Sequence, residues 1–491
     1  MTSPALTSAD RSPSLDLPRA APPTWQLVLL LAWPTLVQNW LILTVNLSDR
    51  LLAGRFQHLD AADQAATQAA QTTANYVAWV FSSYSTLVSV GGTTLVAHLT
   101  GANDRRGARQ VLHQTLLLAL LLGVGGVAAG LWLMEPGLAL LQLQGAAADY
   151  ASAYLRPLLW QLPLQMLCAA GIACLAGAGD TRTGLWVLGS VAVLNLPFSW
   201  LLFRGVGSFA GLGFPGIAVG TAISQSIGSV AVLWVLWRGR AGLRLRLAYL
   251  VPRPALLVRL LRVGVPAAVD TLSMQVGQLC FLGVVNALGD AAAAAHGVAL
   301  TWEALGYQSG AAFGTAAMAL VGQGLGGRRP DQAARNGWTA FALGTAVMSL
   351  MGLVFFSLAR PMFLLFCPHP SQAAIVETGI PALRLVAFAM PALAACIVLA
   401  AALRGAGDSQ GPMVYTWVGL FVVRLPLAVL LTRSVVTVGD WSVPGIDLGL
   451  LGAWLAMFAD LHLAAWACCC VSPAAGGRRC GCDSEYKSDR R

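Results

Sequence analysis

The sequence predicts an all-α polytopic membrane protein of twelve transmembrane helices, arranged as two six-helix lobes related by a parallel repeat. Three observations predict it. Of the 491 residues, 57% are hydrophobic and only 10% charged, too few charges to solvate the surface of an ordinary soluble domain. Twelve apolar stretches approach or exceed the about 20 residues that a helix needs to cross a roughly 30 Å hydrocarbon core. A short loop motif also occurs twice, GAGDTRTG from Gly177 and GAGDSQG from Gly405, which sets Asp180 and Asp408 228 residues apart, nearly half the chain.

In chain order, residues 1–24 are polar and rich in Ser and Pro, with none of the regions of a cleavable signal, and are expected to form a disordered cytoplasmic tail. The N-terminal lobe, 25–237, is expected to place its spans near 26–48, 68–97, 111–134, 153–176, 184–203 and 212–237. A basic connector follows at 238–255, RGRAGLRLRLAYLVPRP from Arg238 to Pro254. The C-terminal lobe, 256–470, is expected to repeat the series near 258–286, 292–323, 337–358, 379–403, 412–432 and 449–470, and 471–491 forms a tail containing Cys and Arg.

The repeat extends beyond the acidic loop. YLRPLLWQLPLQML in the fourth span pairs with ALRLVAFAMPALAA in the tenth, which puts Arg156 opposite Arg384 and Pro163 opposite Pro391. After the second and eighth spans, VAHLTGANDRRGA pairs with VGQGLGGRRPDQA, so Gly101 meets Gly326 and Ala108 meets Ala333. Pro34 and Pro266 occupy matching places in the first and seventh spans. Six spans per half is an even number, so both halves enter from the same side and their axis lies along the membrane normal. Two matched lobes of this kind are the architecture of a transporter.

The net charge of +9 is a topology signal and gives no reason to expect a nucleic-acid partner. Arginines gather in alternate loops: Arg105, Arg106, Arg109, Arg182, Arg238, Arg240, Arg328, Arg329 and Arg404 on one side, against Arg55, Arg204, Arg360 and Arg433 on the other. The positive-inside rule then sets both termini in the cytoplasm of a multi-pass cell-membrane protein. Ten cysteines include Cys468, Cys469, Cys470, Cys480 and Cys482, which on this topology face a reducing compartment. They are expected to be reduced and to hold no metal.

Four carboxylates fall inside apolar spans: Asp49, Asp270, Glu303 and Asp460. Each costs roughly 2.5–3.5 kcal/mol at the centre of a lipid-facing helix on insertion scales, so each should face a polar partner or cavity. Asp49, in NLSDRLLAG, has Asn46 one turn behind it on the same face. An amide can donate to an ionised carboxylate or accept from a protonated one, which suits a group that changes charge. Asp460 and His462 are two apart and do not share a helix face, which argues against a relay between them. In the acidic loops, Gly177, Gly179, Gly405 and Gly407 permit tight turns, while Asp180 and Asp408 can cap the following helices, so these residues are expected to serve structure and gating.

Spans four and five with their GAGDTRT turn, VGQGLGG after span eight, and RLP at Arg424 to Pro426 together resemble the multidrug and toxic compound extrusion (MATE) family, in its proton-coupled bacterial branch, over roughly residues 25 to 470. A major facilitator is the runner-up, but its loop places an Asp-Arg pair four residues after a glycine, whereas Asp104 follows Gly101 by three. The resemblance implies that Asp49 is the proton or cation site of the N-terminal lobe, with Asn195 on the fifth span beside it. Ser199 stands where the family carries an aspartate, which leaves a single-carboxylate site; Thr221 matches a position lining the same pocket. One branch of the family also carries a glutamate on span seven and an aspartate on span ten, implicated in sodium coupling. Here Met274 stands where that glutamate is expected and VAFAMPALAACIVLA has no carboxylate, so proton coupling is favoured over a hard cation that needs several oxygen ligands. Asp270 and Glu303 are expected to form a second polar cluster, and Pro34, lacking an N–H, offers a point of bending in span one.

The expected activity is secondary active efflux. Protons are exchanged for small organic compounds, apolar or cationic, by alternating access of two lobes. No cofactor is expected, the driver being a transmembrane proton gradient; the partners are substrates and membrane lipids, and the chain is expected to act as a monomer. The alternatives are a sodium-coupled antiporter, a lipid or lipid-linked sugar flippase, for which the spans are poor in arginine, and a membrane-embedded enzyme, for which no HExxH or Ser, His and Asp set is found. GxxxxGK[ST] is also missing, which argues against ATP hydrolysis as driver.

Overall fold

A computed structural model describes residues 22–55, 83–140, 145–205, 211–246, 249–438 and 441–471, without the side chains of residues 46, 47 and 49–55 in the first helix. The N-terminal lobe is built from α1 (Thr24–Arg55), α2 (described over 83–101), α3 (Arg105–Leu140), α4 (Ala146–Gly177), α5 (Arg182–Arg204) and α6 (Phe214–Arg238). The C-terminal lobe begins with α7 (Pro254–Asn286), α8 (Asp290–Gly326), α9 (Pro330–Ser357) and the short α10 (Ala359–Phe366). It continues through α11 (Ala373–Ala394), α12 (Ala400–Gly405), α13 (Gln410–Trp417), α14 (Leu425–Thr432) and α15 (Gly449–Val471). Nine of the helical stretches among the described residues are long and apolar enough to cross a membrane. The first part of the expected second span lies outside the described residues.

Helix boundaries follow local chemistry. Pro254 and Pro330 open α7 and α9, where a missing N–H costs nothing and φ is already helical. Pro34 and Pro266 lie inside helices that continue past them. Two stretches of π-helix interrupt the C-terminal lobe, Ala395–Leu399 between α11 and α12 and Val418–Arg424 between α13 and α14. The architecture is all-α as expected, with one short exception. Between α14 and α15 the chain forms an antiparallel hairpin, β1 (Val435–Val438) with β2 (Trp441–Pro444), Val436 opposite Val443. The β-branched run VVTV is the sequence signal for it.

Each lobe has its own apolar core. One gathers Leu112, Leu162, Met166, Leu175 and Leu236, the other Phe281, Phe355, Phe363, Leu383 and Trp454. A third cluster joins the lobes, Val28, Leu31 and Ala32 of α1 packing with Phe313, Ala316 and Ala317 of α8. Large apolar side chains also cover the outside, among them Trp132, Trp186, Trp237 and Trp466. Such a surface suits lipid, where the helices satisfy their own backbone groups.

Candidate functional site

Polar side chains inside the helices collect in three places. In the N-terminal lobe, Asn195 of α5 is fully buried and donates from Nδ2 to Thr221 Oγ1 of α6 at 2.9 Å. The Thr221 hydroxyl donates in turn to the Ile217 carbonyl at 3.1 Å. Asn195 Oδ1 is buried and takes no hydrogen bond among the described residues. Ser199, one turn further along α5, is also fully buried, and its hydroxyl donates to the same Ile217 carbonyl at 3.3 Å. It sits where α5 crosses α6 at Gly220: a Cβ on residue 220 would come within 2.5 Å of the Ser199 nitrogen. Ser199 therefore lies in a close helix crossing that depends on the missing side chain at Gly220. Among the described residues, this group of side chains is polar and neutral. Asn46 and Asp49 lie on α1, and their side chains are outside the described residues.

The C-terminal lobe is charged. Asp270 of α7 accepts from Arg404 Nη2 at the end of α12, while its Oδ1 and Arg404 Nε are buried without partners among the described residues. Arg424, the last residue of the second π stretch, is bound to Asp460 of α15, with Nε and Nη2 at 2.7 and 2.6 Å from the same oxygen. Both side chains are almost fully buried, and the other Asp460 oxygen occupies the space of a missing Cβ at Gly419. Glu303 of α8 lies within electrostatic reach of Arg424, and its Oε2 is buried and unpartnered among the described residues. Tyr307, one turn on from Glu303, lies within reach of Asp270 and Arg404. Asp270 and Glu303 thus belong to one polar interior, but each faces its own arginine and no hydrogen bond joins them among the described residues. His462 is exposed, its ring tilted against Phe458 at 4.0 Å between centroids, and its Nδ1 lies 2.8 Å from the Phe458 carbonyl.

Sequence reasoning missed Arg404 and Arg424 as partners. Arg404 was counted with the loop cations, yet its guanidinium turns back into the lobe. The available signal was the carboxylates themselves, since a charge in a span needs a counter-charge. Breaking α11–α12 and α13–α14 with π stretches offsets the side-chain register, and both stretches lie against α15.

The third place is the basic end, where the loops carrying Arg105, Arg106, Arg328 and Arg329 lie. Gly179 and Gly407 turn the chain with φ of 92° and 94°. After the turn, Asp180 accepts from the Thr183 N–H at 3.1 Å, the Thr183 hydroxyl at 2.7 Å and Arg240 Nε at 2.8 Å. Burial alone would raise the Asp180 carboxyl, but these donors together with the Arg240 charge hold it below the ordinary carboxylate range. Asp408 accepts from the N–H groups of Gln410 and Gly411 at 3.1 and 2.9 Å. Here too the lobes touch most closely: a Cβ on Gly101 would overlap the Gln323 carbonyl, and one on Gly326 would overlap the His98 carbonyl. Among the described residues no group of His, Cys, Asp and Glu is arranged to hold a metal ion; Cys480 and Cys482 lie outside them.

Comparison with known proteins agrees across this architecture. The model of the MatE family matches residues 34–201 and again 266–430, once in each lobe. The chain is 26% identical to the "Probable multidrug resistance protein NorM" of Thermotoga maritima over 88% of its length and 89% of the relative's. It is 29% identical to the "Multidrug resistance protein NorM" of Burkholderia vietnamiensis over 74% of this chain and 77% of that one. In fold it is similar to a solved structure described as the outward-facing conformation of a multidrug resistance MATE family transporter of the MOP superfamily. That match has a TM-score of 0.83 at 20% identity and covers 94% of this chain and 97% of the other.

Proposed function

The chain belongs to the MatE family, and from that premise we propose that it is a multidrug efflux transporter of the cell membrane that exchanges protons for small organic compounds. The basic end faces the cytoplasm, as the arginine bias directs. The two lobes rock about the α1–α8 and α2–α7 contacts, opening the cleft to one side at a time.

The observation that supports proton coupling most is the chemistry left open in each lobe. In the N-terminal lobe, Asn195 already donates to Thr221 and has one buried acceptor without a partner among the described residues, which an Asp49 carboxyl can fill only when it carries a proton. A proton entering from outside neutralises Asp49 and changes its bonds with Asn46 and Asn195. Pro34, fifteen residues earlier on α1, leaves a gap in the helical hydrogen bonds where the helix can bend in response. In the C-terminal lobe Asp270 and Asp460 are each neutralised by an arginine, which leaves little of the oxygen-rich, negative setting that sodium needs. One charge moved across 100 mV is worth about 2.3 kcal/mol, enough to support more than a tenfold gradient of a neutral substrate per proton.

The test is efflux from proteoliposomes. Asp49→Asn keeps the hydrogen-bonding shape and removes the titration. Substrate movement driven by an imposed pH gradient is expected to fall to background, while substrate binding persists. Full pH-driven transport by that variant would overturn the proposal, and transport that follows a sodium gradient with no response to pH would replace it with the sodium reading.

A further inference from the structure

Two cross-lobe hydrogen bonds at the basic end occupy matching positions in the repeat. His98 of α2 lies with Nε2 at 2.8 Å from the Gly405 carbonyl at the end of α12. Gln323 of α8 donates from Nε2 to the Gly177 carbonyl at the end of α4, at 2.9 Å. His98 and Gln323 are 225 residues apart, and Gly177 and Gly405 are 228 apart, the two offsets that relate the halves in these segments. Each bond therefore runs from one lobe to the first glycine of the other lobe's GAGD turn.

The receiving carbonyls are chemically suited to this. The last carbonyls of a helix have no intrahelical donor. The turn after α4 gives the N–H groups of Ala178, Gly179 and Asp180 to Cys174, Ala176 and Leu175, and the turn after α12 gives those of Ala406, Gly407 and Asp408 to Ala402, Arg404 and Leu403. Both patterns pass over the glycine carbonyl, so Gly177 and Gly405 each keep an acceptor that, among the described residues, the opposite lobe fills. Gly101 and Gly326 permit the approach, since a side chain on either would strike the backbone of Gln323 or His98. Thr94 adds a third cross-lobe bond, its hydroxyl donating to the Arg404 carbonyl at 3.0 Å.

We propose that His98 and Gln323 form a paired latch that closes the basic end of the transport cleft, each held by the free glycine carbonyl of the opposite lobe. When the lobes part at this end the four groups separate together and water replaces the bonds. The latch thereby favours the conformer that is shut at the basic end and is no part of the coupling chemistry. It rests on the alternating-access reading, but it is a statement about conformer populations and can fail while transport stands.

The experiment measures those populations directly in the full chain in lipid nanodiscs, using pulsed electron resonance distances between spin labels placed by a non-canonical amino acid at Arg106 and Arg328. His98→Leu and Gln323→Met are each expected to raise the ratio of basic-end-open to basic-end-closed conformers about 2- to 10-fold, the span of one ordinary hydrogen bond. The two together should multiply. His98→Gln, which keeps a donor, is expected to hold the unaltered distribution and serves as the folding control for that site. An unchanged distribution in the double variant would overturn the latch, and so would a shift in His98→Gln equal to that in His98→Leu. Loss of pH-driven efflux in Asp49→Asn, with these distances as expected, would bear on the coupling reading alone.

Discussion

The two lobes share a backbone plan and differ in what they bury. At the centre of the N-terminal lobe are amide and hydroxyl groups, Asn195, Thr221 and Ser199, bonded across a tight α5–α6 crossing. The C-terminal lobe buries two carboxylate–arginine pairs and Glu303, beside two π-helical interruptions. A duplicated frame has thus been filled with two kinds of polar interior. Neutral groups at the first are joined by hydrogen bonds alone, whereas opposite charges at the second tie α7 to α12 and the second π stretch to α15. The ionic lobe should be the one more sensitive to removal of a single group, because a stranded charge in low dielectric costs more than a stranded amide.

The largest effect should come from the buried ion pair. Arg424→Leu strands the Asp460 carboxylate and is expected to destabilise the protein by about 3–5 kcal/mol, read as a fall in the thermal midpoint in detergent. Arg424→Met with Asp460→Leu should recover most of that loss, since no charge is left uncompensated. A smaller effect belongs to the neutral lobe: Asn195→Ala removes one hydrogen bond and should cost about 0.5–1.5 kcal/mol in the same assay. If the two costs proved equal, the distinction between the lobes would lose its energetic basis.

The smallest effect lies at the turn. Asp180→Asn breaks a pair whose arginine is 57% exposed, so the loss should be under about 1 kcal/mol. Its value is in the pH dependence. The folded carboxyl lies below the ordinary range, so its contribution is complete above the unfolded value and is lost as pH falls through the lower folded one. Below that point the variant and the parent should have equal stability, and a gap that persisted there would mean that Asp180 acts through something other than its charge.

Much of the fold could be read in advance because it rests on local and periodic signals. Apolar stretches of the right length marked the helices, and GAGDTRTG with GAGDSQG marked the repeat that the family match meets once in each lobe. The hairpin after α14 had no counterpart among the expected elements, since its eight paired residues lie between two expected spans. Candidate residues were legible as types, less so as partners. Asp270 and Glu303 stood out as carboxylates in apolar helices, but nothing in their own neighbourhoods named Arg404 and Arg424, which lie more than a hundred residues further on. His98 and Gln323 carry no mark in the sequence beyond their matching places.

The sequence by itself determined the solvent this chain lives in, the order of its apolar spans, the basic end and the duplication, since hydropathy, charge bias and repetition are additive along the chain. Only the tertiary structure decided which buried charges neutralise one another, that Ser199 stands in a close crossing of α5 on α6 at Gly220, and which lobe's donor fills which helix-end carbonyl. Those outcomes depend on helix rotation and on approach distances of a few ångströms, and contacts between residues so far apart in sequence are fixed by packing geometry that no local pattern records.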